Sequence, residues 1–314
     1  SGCFMIIIME ISVVMSTYKE KIDLLRESIE SILQQTYSDF EFIIILDNPQ
    51  NKEHIKLIKK YEEQDSRIKF FINKENMGLT DTLNKALKIA EGKYICRMDA
   101  DDVSLPNRLS LQLDYLVKYD YDLIGGLSHM IDEKGNTIYS IKKVPTDLKK
   151  IRKCIKYNQV ISHPTWFGKK VVFDKLGGYR KIPLCEDYDF TLRALLSGYK
   201  ISNINEVVLK YRMTSTSISR STLFEQYLYG CYITQEYARG NIADIKNAKL
   251  YVEKRNNKKN ALKYIKANNV FNRTLKDIEE KKYFKFLIDG IILLFSSRFY
   301  LNKIYRFIMV TLYS

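Results

Sequence analysis

Short apolar runs alternate with amphipathic helical stretches over the first hundred residues, and this alternation limits the fold more than any other feature. Four runs are predicted to be buried strands, over 5–15, 40–46, 68–73 and 93–98. Three helices are predicted between them, over 21–35, 53–64 and 80–91, with Gly92 ending the third. Strands that alternate with helices of about a dozen residues form βαβ units. We therefore predict an α/β fold with a mostly parallel central sheet flanked by helices.

The alternation loosens after residue 102. Helices are predicted over 106–119, 147–156 and 187–197, and strands over 123–131, 137–141 and 201–211. From residue 221 onward the pattern is helical and basic. We therefore predict an α/β domain over 5–219 and a basic, mainly helical C-terminal region over 220–314.

The positive charge of the chain is concentrated in its last third. Lys and Arg number 51 against 37 Asp and Glu, a net charge of +14, and residues 216–314 hold 18 basic and 8 acidic side chains. Such a basic surface attracts nucleic acid, anionic lipid or anionic metabolites.

The cysteines and the hydropathy pattern exclude two other classes of protein. The five cysteines are scattered and form no C-x-x-C pair, which argues against a disulfide framework or a zinc site and fits a reducing cytosol. No run of about 18 uncharged apolar residues occurs, so no ordinary transmembrane helix is expected.

The fourth predicted strand ends in three carboxylates, Asp99, Asp101 and Asp102. Like charges this close repel one another unless water or a cation separates them. An Asp-x-Asp pair at a strand end suits Mg²⁺ or Mn²⁺, which bind one or two carboxylates together with substrate phosphates. The alternative is an acidic turn that caps the next helix, with Asp102 or Ser104 at the N-cap and Pro106 in the first turn.

Polar residues also follow the first two strands, Thr17 and Tyr18 after the first and Asp47 after the second. Parallel strands place their carboxyl ends at one edge, where a nucleotide would have its base near Tyr18 and Asp47. Its ribose and diphosphate would lie near Asp99 and Asp101. The alternative for Asp47 is a local Asx turn. No glycine-rich phosphate loop follows the first strand, so phosphate neutralisation falls to a metal or to Arg and Lys.

Two adjacent acids, Glu186 and Asp187, open the helix predicted over 187–197. A carboxylate beside a second carboxylate has a raised pKa, which suits a general base that deprotonates a hydroxyl. The alternative is stabilisation of the helix N-terminus by negative charge.

His163 and Trp166 lie a short distance upstream of this pair, and Trp166 is the single tryptophan. One interpretation makes His163 a structural hydrogen-bonding residue and Trp166 part of the core. The other places both in a sugar or acceptor subsite, because aromatic faces suit the apolar faces of sugars.

An ordered set of motifs covers residues 11–219. In sequence order they are Val13-Val14-Met15-Ser16-Thr17-Tyr18, the stretch from Ser28 to Tyr37, Asp47, Asn76-Met77-Gly78-Leu79, Leu83-Asn84, Gly92-Lys93-Tyr94, Asp99-Ala100-Asp101-Asp102, Pro106-Asn107-Arg108, His163-Pro164, Gly177-Gly178-Tyr179, Glu186-Asp187-Tyr188-Asp189 and Tyr211-Arg212. Together this set resembles the inverting glycosyltransferases of family 2, which have the Rossmann-like GT-A fold.

The resemblance implies roles at the matching positions. It implies donor-nucleotide contacts for Thr17, Tyr18, Asp47, Asn76, Asp99 and Arg212, binding of Mn²⁺ or Mg²⁺ by Asp101 with Asp99, a catalytic base in Asp187, and sugar or acceptor contacts for Glu186, His163 and Trp166. The chain departs from the family pattern at Lys19, where Asn is common, and at Thr214, where many relatives have His. Arg212 or nearby hydroxyls are therefore expected to meet the diphosphate.

The resemblance implies transfer of a hexose from a nucleotide sugar, with a UDP-sugar as the expected donor, to a saccharide or lipid-linked saccharide hydroxyl in capsule, exopolysaccharide or O-antigen synthesis. A sugar nucleotidyltransferase is the first alternative, but it needs a glycine-rich basic loop that this chain lacks. A non-enzymatic basic protein that binds membrane or nucleic acid is the second. It leaves the acidic strand end unexplained, so no nucleic-acid partner is expected.

Aromatic, aliphatic and basic residues interleave over 283–314. Such a segment can lie in a membrane interface, with Lys and Arg reaching anionic headgroups. A helix docked on the α/β domain and a homodimer contact are equal alternatives. With a lipid-linked acceptor, the expected location is the cytoplasm at the inner face of a bacterial cell membrane.

Overall fold

The chain forms two compact units, seen in a computed structural model that describes residues 10–213, 222–279 and 283–314. The first unit comprises the described residues up to Ile151, Val160–Arg180 and those from Arg193 to 213. The second comprises Arg152–Gln159, Lys181–Leu192 and the described residues from 222 onward. The segments 152–159 and 181–192 thus group with the C-terminal helices, whereas the domain boundary predicted at 219/220 stays a prediction.

A single mixed sheet organises the first unit. Its nine strands among the described residues are β1 (Ile11–Thr17), β2 (Phe40–Leu46), β3 (Ile68–Ile72), β4 (Tyr94–Asp99), β5 (Val103–Ser104), β6 (Leu123–Ile131), β7 (Thr137–Ser140), β8 (Phe167–Lys169) and β9 (Ile201–Arg212). The strand order is β3-β2-β1-β4-β8-β6-β9-β5, and β7 pairs with β6.

The sheet is parallel over its first four strands. β1 lies between β2 and β4, and β2 pairs with β3, all in parallel register. β8 then pairs antiparallel with both β4 and β6, while β6 and β9 are parallel. All seven residues of β2 are buried, as expected for an apolar run covered on both faces. The α/β prediction is confirmed, and β5 and β8 are additions that the hydropathy pattern did not indicate.

Twelve helices occur in the described part of the chain. They are α1 (Ile22–Leu33), α2 (Lys52–Gln64), α3 (Leu79–Ile89), α4 (Arg108–Lys118), α5 (Leu148–Cys154), α6 (Lys170–Leu176), α7 (Glu186–Leu196), α8 (Leu223–Ala238), α9 (Ile245–Glu253), α10 (Lys258–Glu279), α11 (Tyr283–Ser296) and α12 (Arg298–Tyr313). The predicted helices are confirmed with small shifts of their ends, and α6 was not predicted. Within the described ranges, every helix is too short or too polar to cross a membrane.

Aromatic packing joins the helices of the second unit. Phe224 on α8 lies 5.0 Å from Tyr264 on α10 and 5.2 Å from Phe299 on α12, measured between ring centroids. Tyr264 also meets Tyr300 edge to face at 5.1 Å. Tyr264 and Tyr300 are fully buried, so these rings form the centre of the helical unit.

A buried carboxylate ties the parallel strands to the end of α3. Glu41 on β2 accepts hydrogen bonds from the Ser12 hydroxyl at 2.5 Å and the Glu91 amide at 2.7 Å, and it pairs with Lys69 at 2.7 Å. Burial opposes ionisation of Glu41, yet the Lys69, Ser12 and Glu91 contacts hold its pKa below the usual value. The polar group is therefore paired as burial requires.

Gly92 allows this close approach and does not end α3 as predicted. The helix ends at Ile89 with Ala90 as its C-cap. A Cβ at position 92 would lie 2.6 Å from the Ser12 nitrogen and 2.7 Å from the Ile11 carbonyl carbon. The glycine is thus required by packing of backbone on backbone.

We expect Gly92→Ala to lower the free energy of unfolding by about 1–3 kcal/mol, because β1 must shift to admit the methyl group. Urea unfolding followed by circular dichroism measures this. Gly290→Ala is the matched control: nothing lies within 4 Å of its Cβ, and alanine in α11 should be neutral or stabilising. Equal stability of the Gly92→Ala variant and the parent would contradict the packing argument.

Candidate active site

The carboxyl ends of three strands meet at one edge of the sheet in the first unit. Ser16 on β1 is in register with Asp99 on β4, and Thr17 is in register with Leu46 on β2. The Asp47 amide donates to the Thr17 carbonyl at 2.8 Å. The structure therefore brings together the strand ends that the sequence marked with polar residues.

We call residues Asp99–Asp102 the acidic turn. Asp99 ends β4 and forms an ion pair with Arg97. Burial and the charges of Asp99 and Glu20 raise the pKa of the Asp101 carboxyl to about 7. Burial, together with Asp99 and Asp101, likewise raises the pKa of Asp102 well above its ordinary value. Crowded negative charge of this kind favours a cation as a ligand.

Asp102 is buried and structural. Its Oδ1 accepts from the Arg212 amide at 2.8 Å, while Oδ2 has no hydrogen-bond partner among the described residues. The next helix, α4, begins at Arg108 with Asn107 as its N-cap, and Ser104 lies in β5. The interpretation of Asp102 or Ser104 as a helix cap is therefore wrong.

Arg212 fixes the acidic turn from the end of β9. Its Nε donates to the Asp101 carbonyl at 2.7 Å, and its terminal nitrogens reach the Asp132 carbonyl at 3.1 Å and the Glu27 carboxylate. The side chain is only 3% exposed overall. Its donors are thus used within the protein, which indicates a positioning residue more than the expected diphosphate contact.

Helix α1 and Gln35, which follows its end, support the acidic turn and the residues just after it. The Ser28 hydroxyl donates to the Asp99 carbonyl at 2.8 Å, and the Ser31 hydroxyl accepts from the Ser104 amide at 3.0 Å. Gln35 donates to the Leu105 carbonyl at 2.7 Å. Polar residues of the Ser28–Tyr37 motif therefore hold the acidic turn by hydrogen bonds to backbone groups of Asp99 and of the residues that follow Asp102.

The sequence analysis gave no role to two buried arginines, Arg97 and Arg108, although Arg108 belongs to one of its motifs. Arg97 lies within β4 and its Nε has no hydrogen-bond partner in the described chain. Arg108 donates to the carbonyls of Arg97 at 2.8 Å and Pro164 at 2.9 Å. A charged residue inside the apolar run YICRMD was the available signal for Arg97, because arginine is seldom buried without a partner.

Asp47 organises a loop at the adjacent strand end. Its Oδ1 accepts from Asn73 at 2.7 Å and from the Met77 amide at 2.8 Å, and its Oδ2 accepts from the Gly78 amide at 2.8 Å. The local Asx turn belongs to Asn48, whose Oδ1 accepts from the Gln50 amide. The Asx interpretation of Asp47 is therefore wrong.

Asn76 and Tyr18 present their side chains at this edge. Asn76 is exposed and its Oδ1 accepts from the Gly78 amide at 3.0 Å. Tyr18 is 37% exposed, and its backbone amide donates to the Glu20 carboxylate. Thr17 is buried and donates to the same carboxylate at 2.6 Å. Tyr18 and Asn76 therefore have surface with which to contact a ligand.

His163, Trp166 and Tyr179 form one buried cluster. His163 Nε2 lies 2.8 Å from the Tyr179 hydroxyl, and its ring meets Trp166 edge to face at 4.6 Å. Burial, with the nearby Arg97 charge, lowers the pKa of His163 well below its usual value, so the imidazole is neutral. Trp166 has no exposed surface and donates to the Ile161 carbonyl. This burial favours the core interpretation of Trp166.

Glu186 and Asp187 lie in the second unit, at the first turn of α7. The Asp187 carboxylate accepts from the adjacent Tyr188 amide at 2.7 Å, and its negative charge in the first turn favours the helix N-terminus. Asp187 also lines a cavity of about 280 Å³ within this unit. Burial and the negative charges of Asp187, Glu186 and Asp189 raise the pKa of the neighbouring Cys185 thiol. Both the capping role and the catalytic role fit this position.

The residues present fit a cation site completed by a substrate. Across the described ranges, no three His, Cys, Asp or Glu side chains gather into a complete metal site. The half-buried Asp99 and Asp101 carboxylates, with raised pKa at Asp101, are the donor set that Mg²⁺ and Mn²⁺ use together with phosphate oxygens. Thr214, where relatives carry a candidate ligand, lies outside the described residues.

Comparison with known proteins places the chain in a family. The model of glycosyl transferase family 2 matches residues 12–177, more than half of the chain. An uncharacterized glycosyltransferase of Methanocaldococcus jannaschii, MJ1057, is 41% identical over 71% of this chain and 77% of its own length. The O-antigen biosynthesis glycosyltransferase WbnJ of Escherichia coli is 36% identical over 73% of this chain and 89% of its own. The protein therefore belongs to glycosyl transferase family 2 and is a glycosyltransferase.

A third relative and two solved structures extend the comparison. The UDP-Gal:alpha-D-GlcNAc-diphosphoundecaprenol beta-1,3-galactosyltransferase of Escherichia coli is 30% identical over 67% of this chain and 76% of its own. TarS 1-349 of S. aureus with UDP-GlcNAc superposes with a TM-score of 0.60 at 18% identity, over 78% of this chain and 70% of TarS. The mannosyltransferase PcManGT of Pyrobaculum calidifontis, with GDP-Man and Mn²⁺, gives 0.58 at 17%, over 77% and 69%. At these identities the superpositions show a shared fold, and the GT-A prediction is confirmed.

Proposed function

We propose that this protein transfers a hexose from a UDP-sugar to a hydroxyl of a saccharide or lipid-linked saccharide in surface-polysaccharide synthesis. The acidic turn at the carboxyl edge of the parallel strands carries the proposal, because its crowded carboxylates suit a cation that neutralises a diphosphate. The names of two Escherichia coli relatives, which specify O-antigen synthesis and a UDP-Gal donor, support the substrate class.

We assign the donor nucleotide to the edge formed by β1, β2 and β4. Tyr18 and Asn76 contact the base with their exposed groups, while Thr17 and Asp47 shape that subsite through the hydrogen bonds described above. Asp99 lies by the ribose and diphosphate. Arg212 acts on the donor through the acidic turn that it positions.

Asp101, with Asp99, holds Mn²⁺ or Mg²⁺ in this proposal. The bound ion would neutralise the nucleoside diphosphate as it leaves. The buried arginines Arg97 and Arg212 keep the carboxylates in place between turnovers by ion pairing with Asp99 and by hydrogen bonding to the Asp101 carbonyl.

Asp187 is the proposed catalytic base. It accepts the proton of the acceptor hydroxyl, whose oxygen attacks the anomeric carbon in line as the bond to the nucleoside diphosphate breaks. A single displacement inverts the anomeric configuration, so an α-linked donor gives a β-linkage. Glu186 and His163 are proposed to orient the sugar or acceptor.

We expect Asp187→Asn to reduce kcat about 10²- to 10⁴-fold, the usual contribution of a general base. Donor affinity should stay unchanged, since the amide keeps the shape of the side chain. The assay is release of UDP from a UDP-hexose in the presence of a saccharide acceptor. Glu253→Gln, an exposed acid at the end of α9, is the control. Near-normal turnover of Asp187→Asn would refute the base assignment, and Glu186→Gln would then be assayed.

We expect UDP to raise the melting temperature in the presence of Mn²⁺ and not in EDTA. UDP at a hundred times its Kd would stabilise the folded enzyme by about 2.7 kcal/mol. Asp101→Asn should lose this shift, whereas Asp114→Asn, an exposed acid on α4, should keep it. Without ligand Asp101→Asn should melt no lower than the parent, because the substitution removes a buried charge beside Asp99. An unchanged Mn²⁺-dependent shift in Asp101→Asn would exclude it as a ligand.

The C-terminal helices support a peripheral contact with an anionic membrane through 283–314. Ile288, Ile291, Ile292 and Phe295 are exposed at helical spacing on α11, and we call them the apolar stripe. Phe295 alone is 86% exposed. Asp289 on the same helix is buried instead and pairs with Arg273 of α10. An exposed apolar stripe on a basic unit is typical of a helix that lies at a lipid interface. Such membrane contact at the inner face would bring the enzyme close to a lipid-linked acceptor.

We expect the protein to sediment with anionic lipid vesicles, less so at high salt and weakly with neutral vesicles. Phe295→Asp should abolish sedimentation, while Ile242→Asp, at an exposed position off the apolar stripe, should not. If Phe295→Asp instead converted a dimer to a monomer and left vesicle binding intact, the stripe would be a homodimer contact.

A further inference from the structure

The cavity of about 280 Å³ lies wholly within the second unit, and it carries charges of both signs. Its wall includes Asp187 from α7, Tyr227 from α8, Tyr264 from α10 and the cations Lys303 and Arg306 from α12. Its volume is close to the lower end of ordinary ligand pockets, which start at about 300 Å³. A small ligand with an anionic group and a hydroxyl would match this lining.

The two cations share one side of α12, three residues apart. The Lys303 ammonium lies 3.3 Å from the Asn268 Oδ1 and within 5.5 Å of the ring centres of Tyr264 and Tyr300. Arg306 donates through Nε to the Tyr157 carbonyl at 2.8 Å and through its terminal nitrogens to Thr234 at 3.2 Å. Within the described chain, neither cation forms an ion pair with a carboxylate.

Unpaired cations are costly to bury, so their presence here calls for a counter-charge. Burial lowers the pKa of Lys303, and both side chains are half-buried. The contacts above leave two ammonium hydrogens of Lys303 and two guanidinium hydrogens of Arg306 without a partner. These donors are what phosphate oxygens accept, and Arg binds phosphate with two parallel hydrogen bonds.

We propose that this cavity binds the acceptor as a diphosphate-linked saccharide, with phosphate oxygens on Lys303 and Arg306 and the saccharide hydroxyl directed to Asp187. The half-buried Tyr227 provides aromatic surface for the sugar ring. The inference rests on the proposed function only for the role of Asp187. It assigns acceptor recognition to the helical unit, separately from the donor edge of the sheet.

The test is calorimetric titration without donor sugar, using three probes, with UDP titrated separately to report on the donor site. The probes are a hexosyl diphosphate with a short alkyl chain, the alkyl glycoside of the same hexose, and inorganic pyrophosphate. Lys303→Gln should weaken the hexosyl diphosphate about ten- to a hundredfold, the loss expected for one charge-assisted contact, and leave UDP binding unchanged. Lys303→Arg should restore most of the affinity. Lys266→Gln, an exposed lysine on α10, is the control for lost charge.

Several outcomes would overturn the proposal. The first is failure of the parent enzyme to bind the hexosyl diphosphate, and the second is equal affinity of Lys303→Gln and the parent for it. The third is pyrophosphate binding to the parent as tightly as the hexosyl diphosphate. The fourth is a loss of UDP affinity in Lys303→Gln as large as its loss of affinity for the hexosyl diphosphate. Because binding is measured without turnover, the result is independent of the base assignment. Normal turnover in Asp187→Asn together with weakened binding in Lys303→Gln would refute the base assignment and support the acceptor cavity. Reduced turnover in Asp187→Asn together with unchanged binding in Lys303→Gln would support the base assignment and refute the acceptor cavity.

Discussion

The concentration of negative charge after β4 is the constraint that the first unit is organised to satisfy. Asp99, Asp101 and Asp102 stand within four residues, and burial with mutual repulsion raises the pKa of two of them. Left alone, such a turn would splay apart or take up protons. The fold opposes this by surrounding the turn with donors, from Arg97 inside the strand to Arg212 at the end of the sheet. Under our proposal, a cation bound by Asp99 and Asp101 would offset the remaining repulsion.

The two compact units carry different kinds of chemistry. The first unit holds its candidate groups on strand ends and short braced loops, such as the Asp47 loop with its three internal hydrogen bonds. Groups held on rigid elements need little reorganisation when a ligand arrives. The second unit offers a cavity between helices, with Asp187, Lys303 and aromatic rings on its wall. Under our proposals, the sheet edge would bind the donor and the helical unit the acceptor, so substitutions in the helical unit would change the acceptor without altering the donor site.

The sequence was enough to predict the α/β fold, the strands β2 and β6 with their bounds, and the polar strand ends Thr17, Asp47 and Asp99. These follow from local hydropathy and from the shared edge of parallel strands. What could not be predicted depends on partners far along the chain. The commitment of Arg212 to the acidic turn, the packing of Gly92 against Ser12 and the grouping of 181–192 with the C-terminal helices all arise from tertiary contacts. The hydropathy periods of strands and helices report only local burial, so they do not indicate these contacts.

The separation of Arg212 from the turn that it braces has a consequence for biosynthesis. The two are 111 residues apart, and the parallel strands β1 to β4 are complete long before residue 212 is added. A nascent chain that ends short of β9 therefore has Arg97 paired with Asp99 but lacks the Arg212 contacts to the Asp101 carbonyl and the Asp102 carboxylate. The hydrogen bonds from Arg212 to the acidic turn can therefore form only after β9 has been synthesised.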